Sequence, residues 1–216
     1  VIAAFAYDAK VEYEKKLLLV VYDNTRKRVI SSYSGILGED AATEVGPYSI
    51  RIDTARYVLA KNVRAFGLRL DTRNGRNCGD GTWGDELILY VMEGRKLRPV
   101  FFATMRRGLL GRVGSEGMDR CGFNVEMDSE KTISIEKTST HGFADIRLTA
   151  SVTWGFDEPT AIRPNPPKPL SRIIKYDGKR YAYNPGDRNL DDDIYSAMGK
   201  LYQEIREIHE AGKKEP

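Results

Sequence analysis

The sequence predicts a mainly β protein, an antiparallel sandwich or barrel-like set of sheets with one C-terminal amphipathic helix. Three patterns predict it. Across residues 48–106, strand-like runs are cut by Asn74-Gly75, Asp80-Gly81 and Glu93-Gly94, pairs that tolerate the positive φ of tight turns. Residues 145–154 alternate without a break, with Ile146, Leu148, Ala150, Val152 and Trp154 facing one way and Arg147, Thr149, Ser151 and Thr153 the other. From Leu190 onward, Ile194, Met198, Leu201, Ile205 and Ile208 recur three and four residues apart, the spacing of one helix face.

Taken in order, residues 11–21 read as a long strand, apolar from Leu17 to Val21. The Asp23-Asn24 turn leads to a partner strand at 28–33. Residues 39–45 read as a short helical turn or a loop, with Pro47 as punctuation. In the middle stretch, Arg64, Phe66, Leu68 and Leu70 share one strand face and Val63, Ala65 and Gly67 the other. Leu87, Leu89 and Val91 likewise alternate with Ile88, Tyr90 and Met92. Apolar residues on both faces place these two strands centrally.

After Met105 glycine becomes dense, and the segment carrying Arg106, Arg107, Leu109, Leu110 and Arg112 reads as a loop, a connection sharply bent or mobile. Residues 123–127 and 132–137 read as two strands joined by a turn at Asp128-Ser129. Pro159, Pro164, Pro166, Pro167 and Pro169 make 157–169 an extended strap, since proline cannot donate to a ladder. A hairpin follows around Asp177-Gly178, then the helix, capped by Asn189 or Asp191 with Asp191, Asp192 and Asp193 at its positive end. The organisation is therefore a β core over 1–156, the strap over 157–169, and a hairpin plus helix over 170–212 packed on the same domain.

The charge balance, 34 basic against 31 acidic side chains for a net +3, is too even and too interspersed for a nucleic-acid binder. No apolar run reaches the ~18 residues of a membrane span. The opening VIAAFA has two readings, the tail of an export signal or a first short strand. Cys78 and Cys121 each precede a glycine in polar, turn-like surroundings, which suggests a disulfide and an oxidising compartment. Such a bond would stabilise by ~3–4 kcal/mol. Two unrelated thiols are the alternative.

Chemistry-bearing patterns are sparse. Cys121 or Ser139 with His141 and Asp145 can be written as a nucleophile–base–acid set, the basis of a secreted-hydrolase alternative, but no nucleophile elbow surrounds them. His209 falls in the last helical turn, where a cation suits the dipole. Asp71, Asn74, Asn77, Asp80 and Asp85 are hard-cation ligand types, yet they lack EF-hand spacing and also suit ordinary turns, and the carboxylates of Asp85 and Glu86, neighbours on a strand, face opposite ways. No cofactor motif is expected, and the protein reads as non-enzymatic. What recurs is interface chemistry: Trp83, Tyr57, Tyr90, Tyr181 and Tyr183 as exposed aromatics, with Arg106, Arg107 and Arg112. The expected partner surface comprises Trp83, Arg106, Arg107, Leu109, Leu110 and Arg112.

In Asp53-Thr54-Ala55-Arg56-Tyr57, Val63-Arg64-Ala65-Phe66-Gly67, the Cys78 turn and the run from His141 to Ala150, the sequence resembles a group of small exported proteobacterial proteins of largely unassigned function, and the Asp177-Gly178-Lys179-Arg180-Tyr181 hairpin resembles a feature of exported envelope proteins. Proteins of this appearance include periplasmic immunity partners of antibacterial effectors, type VI phospholipases among them. The resemblance implies a periplasmic or otherwise exported protein that occludes a toxic effector by protein–protein contact, and it carries no catalytic residue across. The alternative is an envelope glycan- or lipid-binding module using Trp83 and the tyrosines as stacking platforms.

Overall fold

The computed structural model describes residues 1–40, 43–71, 83–111, 125–156, 164–183 and 186–212, with backbone only at 83, 110, 111, 156 and 212. Three antiparallel runs make up the sheet. The first is β1 (Ile2–Asp8), β2 (Glu14–Asp23) and β3 (Arg28–Gly38). The second is β4 (Ile50–Ala60), β5 (Val63–Leu70), β6 (Trp83–Glu93) and β7 (Lys96–Gly111). The third is β8 (Val125–Thr140), β9 (Phe143–Phe156), β10 (Leu170–Tyr176) and the short β11 (Tyr181–Ala182). Helix α1 (Leu190–Gly212) completes the order.

Strand β7 joins the three runs. Its first part pairs with β6 from Lys96 to Arg107, its last part pairs with β8 from Arg106 to Gly111, and Lys96 bridges Ser32 of β3 in parallel. The architecture is mainly β with one C-terminal helix, as the alternation requires, and the sheet curls until β1 and β4 come within 8 Å of each other at Cα without ladder pairing.

Two cores result, and β5 and β6 are the wall between them. Ala65, Leu87, Leu89 and Val91 face the first core, with Val100, Phe101, Met127, Ile146 and Leu148. Phe66, Leu68, Leu70 and Tyr90 face the second, with Leu17, Leu19, Val21 and Leu97. The two-sided apolar alternation is thus explained by a strand pair whose central residues are covered on both faces. Strand β4 serves both cores by means of a bulge: Ile50 and Ile52 pack on the second, the pairing jumps from Asp53↔Gly67 to Tyr57↔Ala65, and Tyr57 and Leu59 enter the first.

Helix α1 buries Leu190, Ile194, Met198, Leu201 and Ile205 on the first core, each worth roughly 1.5–3 kcal/mol of transfer free energy. Asn189 Oδ1 accepts the Asp192 N–H at 2.9 Å while Asp192 Oδ2 accepts the Asn189 N–H at 3.3 Å, so the cap is reciprocal. The strap's described part, 164–169, has no regular structure, and its Pro164 carbonyl accepts the Trp154 indole N–H at 3.2 Å.

Three local expectations are corrected. The strand expected over 11–21 starts later, as Glu14–Asp23, because residues 9–13 turn, and the opening residues form a separate strand, Ile2–Asp8. The segment expected to be a loop from Arg106 is strand as far as Gly111, because β8 supplies ladder partners that no local pattern reveals. Asp128-Ser129 is not a turn but lies within the first part of β8, where Val125, Met127, Ser129 and Lys131 alternate inward; Ser129 is fully buried and donates to the Arg107 carbonyl at 3.3 Å.

Candidate functional site

The β6–β7 ladder brings Trp83 and the two arginines together: Trp83 pairs with Arg107 and Gly84 with Arg106. Their roles differ from those expected. Arg107 runs under the helix, donating from Nη1 to Tyr195 Oη at 2.6 Å, with Nε 3.1 Å from Asp191 Oδ1 and its guanidinium 5.3 Å from the Tyr195 ring centroid. Only 16% of that side chain is exposed. Lys131, 1% exposed, donates to the same Asp191 carboxylate and to the Thr104 carbonyl. Burial lowers the Lys131 pKa, and the hydrogen bond to Asp191 opposes that shift. Arg107 is therefore a helix anchor. Arg106 is the more accessible of the two, 3.5 Å from Asp128, and Leu109 packs half-buried against the first core. Leu110 pairs through its backbone with Glu126. Arg112, Cys78 and Cys121 lie outside the described residues.

The tyrosines expected at the surface are mostly inside. Tyr57, Tyr90 and Tyr181 are buried, and Tyr181 Oη donates to the Ala144 carbonyl at 2.6 Å. Tyr57 Oη donates to Asp53 Oδ2 at 2.9 Å. Tyr183, half-buried, accepts the Leu190 N–H at 3.3 Å and so braces the start of α1.

Around Asp53 an ion network closes the β4 bulge. Arg69 donates from Nε to Asp53 at 2.8 Å and from Nη1 to Asp85 at 2.6 Å, and Arg51 reaches Asp85 at 3.2 Å. Burial opposes the charge on Asp53, but bonds from the Ala55 N–H, Arg69 and Tyr57 outweigh it and hold the carboxyl below its ordinary value. Of the residues weighed as cation ligands, Asp85 thus spends its carboxylate on arginines; Asn74, Asn77 and Asp80 lie outside the described residues. Glu86 is pushed up by burial.

His141 sits at the exposed tip between β8 and β9 with φ 49°, followed by Gly142 at φ 81°. Asp145 is buried and accepts from Thr138 and Thr140, each at 2.7 Å, rather than from the histidine. Ser139 pairs with Ala144 in the ladder and is exposed.

A different surface emerges at the loop end of the second core. Tyr7, Val11, Tyr13 and Tyr48 are 48%, 57%, 63% and 89% exposed. Tyr13 lies in left-handed backbone at φ 62°, as does Lys10 at φ 60°. Bulky side chains rarely adopt that conformation, because Cβ crowds the following carbonyl at a cost of roughly 1–2 kcal/mol. What holds Tyr13 there is Glu39, whose N–H donates to the Tyr13 carbonyl at 2.7 Å. The Glu39 side chain reaches onward and accepts the Val45 N–H at 2.9 Å. Lys15 donates to Asp8 at 2.6 Å and lies 3.8 Å from Glu39, tying β1 and β2 to the same point. The Gly46 N–H donates to Ser49 Oγ at 2.9 Å, and the Ser49 carbonyl accepts the Asp71 N–H at 2.8 Å. The turn at 9–13 and the connection at 43–49 thus form one braced unit with aromatics on its rim. Sequence reasoning missed it because Tyr13 and Tyr48 stand in polar, non-alternating surroundings; a large apolar residue outside any periodic pattern is the signal that finds them.

No family model, curated protein or solved structure matches this chain.

Proposed function

We propose that this chain is a non-enzymatic periplasmic binding protein, an immunity protein that occludes a toxic antibacterial effector of the phospholipase type by protein–protein contact. The observation that carries the reading is Tyr13. A tyrosine is held in an unfavourable backbone conformation by the Glu39 bond, and its ring is left in water. Strain of this kind persists where surrounding structure over-determines it, and it concentrates at recognition sites. Tyrosines on braced loops suit a paratope, since each brings large area at small entropy cost. The rigid β scaffold beneath supplies pre-organisation, which limits the ordering cost of binding.

The mechanism is steric. Tyr13 and Tyr48 enter the mouth of the effector's active site, and mixed charges around them, among them Lys10 and Lys16, set orientation and encounter rate. The test is a search of the neighbouring reading frames for a phospholipase-type effector, followed by inhibition of that enzyme by purified protein. Stoichiometric inhibition is expected, with Tyr13→Ala and Tyr48→Ala each weakening it about tenfold or more. Undiminished inhibition by the double variant, or lipid turnover by the chain alone, would overturn the reading.

A further inference from the structure

Strand β10 is paired along only part of one edge. Its Leu170–Ile174 stretch pairs with β9 on one side, while β11 covers the other side only at Lys175 and Tyr176. Among the described residues, no strand pairs with Leu170 to Ile174 on the β11 side, so alternate backbone donors and acceptors there are left for another partner. Beside that edge runs α1, and between them lies a groove of about 460 Å³. This is within the ~300–1,000 Å³ range of ligand sites.

The chemistry along the groove is ordered. Leu170 and Leu201 give it an apolar floor, and the helix presents the small Ser196 and Ala197 toward it, leaving room for side chains. At the end toward β11 the character becomes cationic. Arg172 Nη2 lies 2.7 Å from Asp193 Oδ2, and Arg188 Nε is 3.8 Å from the other oxygen, outside hydrogen-bonding distance. One carboxylate thus faces two guanidiniums, and Arg188, 65% exposed, keeps donors to spare.

We infer that this groove binds the free C-terminus of an extended peptide from a partner protein, added to β10 as a further strand. Three features converge on that occupant. An open strand edge recognises extended backbone and little else. The apolar floor and small helix residues accept alternate side chains. Because β11 occupies the same edge from Lys175 onward, the added strand must stop there, and its last group meets Arg172 and Arg188, which suit a terminal carboxylate. The surface is separate from the tyrosine loops, so it recruits a second protein rather than the occluded one.

The test uses short random peptides immobilised through their N-termini, one pool with free carboxylates and one amidated, probed with the full chain. The free-acid pool should retain the protein about tenfold or more over the amidated pool. Arg188→Glu, an exposed change, should abolish that preference with the circular dichroism spectrum and melting temperature unchanged. Ala197→Glu, which fills the groove, should abolish retention altogether; if it does not fold, Lys200→Glu at the groove rim serves in its place. Equal retention on both pools, no retention on either, or indifference to Arg188→Glu would overturn the proposal. So would competition by inorganic phosphate at the concentration that free-acid peptide requires, which would make this an anion site only.

Discussion

Asp53 lies directly across the β4–β5 ladder from Gly67, and the missing side chain of Gly67 is what lets Asp53 turn inward to Tyr57 and Arg69. A Cβ on Gly67 would stand 2.7 Å from Leu87 Cδ1 and 2.9 Å from Asp53 Cβ. The leucine methyl can swing aside, but Asp53 Cβ is fixed by its own strand. Gly67→Ala therefore separates β4 from β5 at the bulge, at a cost of ~1–3 kcal/mol. Urea unfolding measures it, and a midpoint equal to that of the unmodified protein refutes this account of the bulge.

The same cluster sets an alkaline limit. Burial, then the hydrogen bond to the Asp53 carboxylate, pushes the Tyr57 phenol up from 10.0 to about 12. The folded state thus favours the protonated phenol. Its contribution is whole below pH 10.0 and is lost as pH rises through about 12. The amount is roughly 2–3 kcal/mol. Tyr90 and Tyr181 are shifted in the same direction by burial. Melting temperature should fall across that window, and less steeply in Tyr57→Phe. Parallel curves for the two proteins would mean that Tyr57 takes no part.

How far the sequence reveals this molecule depends on the range of the interaction. Alternation along β5, β6 and β9 is set by neighbours two residues apart, so those strands are legible, as is the burial of β5 and β6 on both faces. The cap of α1 is equally local. The strand from Arg106 to Gly111 is not legible, because its glycines signal a turn while its ladder partner lies beyond residue 124. Arg107 is the sharpest case. Its pairing with Trp83 makes the two candidates neighbours, yet its guanidinium belongs to Asp191 and Tyr195 on a helix at the far end of the chain. The Tyr13 turn carries no glycine or proline, so its strain is visible only in the backbone.

Asp191 holds two cations at once, the buried Lys131 and the partly buried Arg107. Removing the carboxylate leaves the buried Lys131 charge with no counter-ion beside it, holding only the Thr104 carbonyl, so Asp191→Ala should cost about 3 kcal/mol. Lys131→Met keeps much of the volume and removes the charge, and alone it should be close to neutral. The double variant should be more stable than Asp191→Ala alone, because one uncompensated charge has gone. A double-mutant cycle in guanidinium reads the coupling, and strict additivity of the two changes would mean that the pair is not coupled.

Tyr13 gives the prediction that separates a recognition loop from an ordinary turn. Glycine occupies left-handed backbone without the Cβ clash, so Tyr13→Gly removes a cost of roughly 1–2 kcal/mol. Glycine's greater freedom in the unfolded chain returns ~0.5–1 kcal/mol of that. The variant should therefore fold at least as stably as the parent, because the tyrosine ring contributes little packing where it stands. Binding should move the opposite way, weakening about tenfold or more as the ring is lost. Equilibrium unfolding and inhibition of the effector, measured on the same preparation, test both halves. A variant that loses stability and binding together would make Tyr13 a structural residue, whereas a gain in one against a loss in the other is the exchange that a site pre-organised at the expense of stability requires.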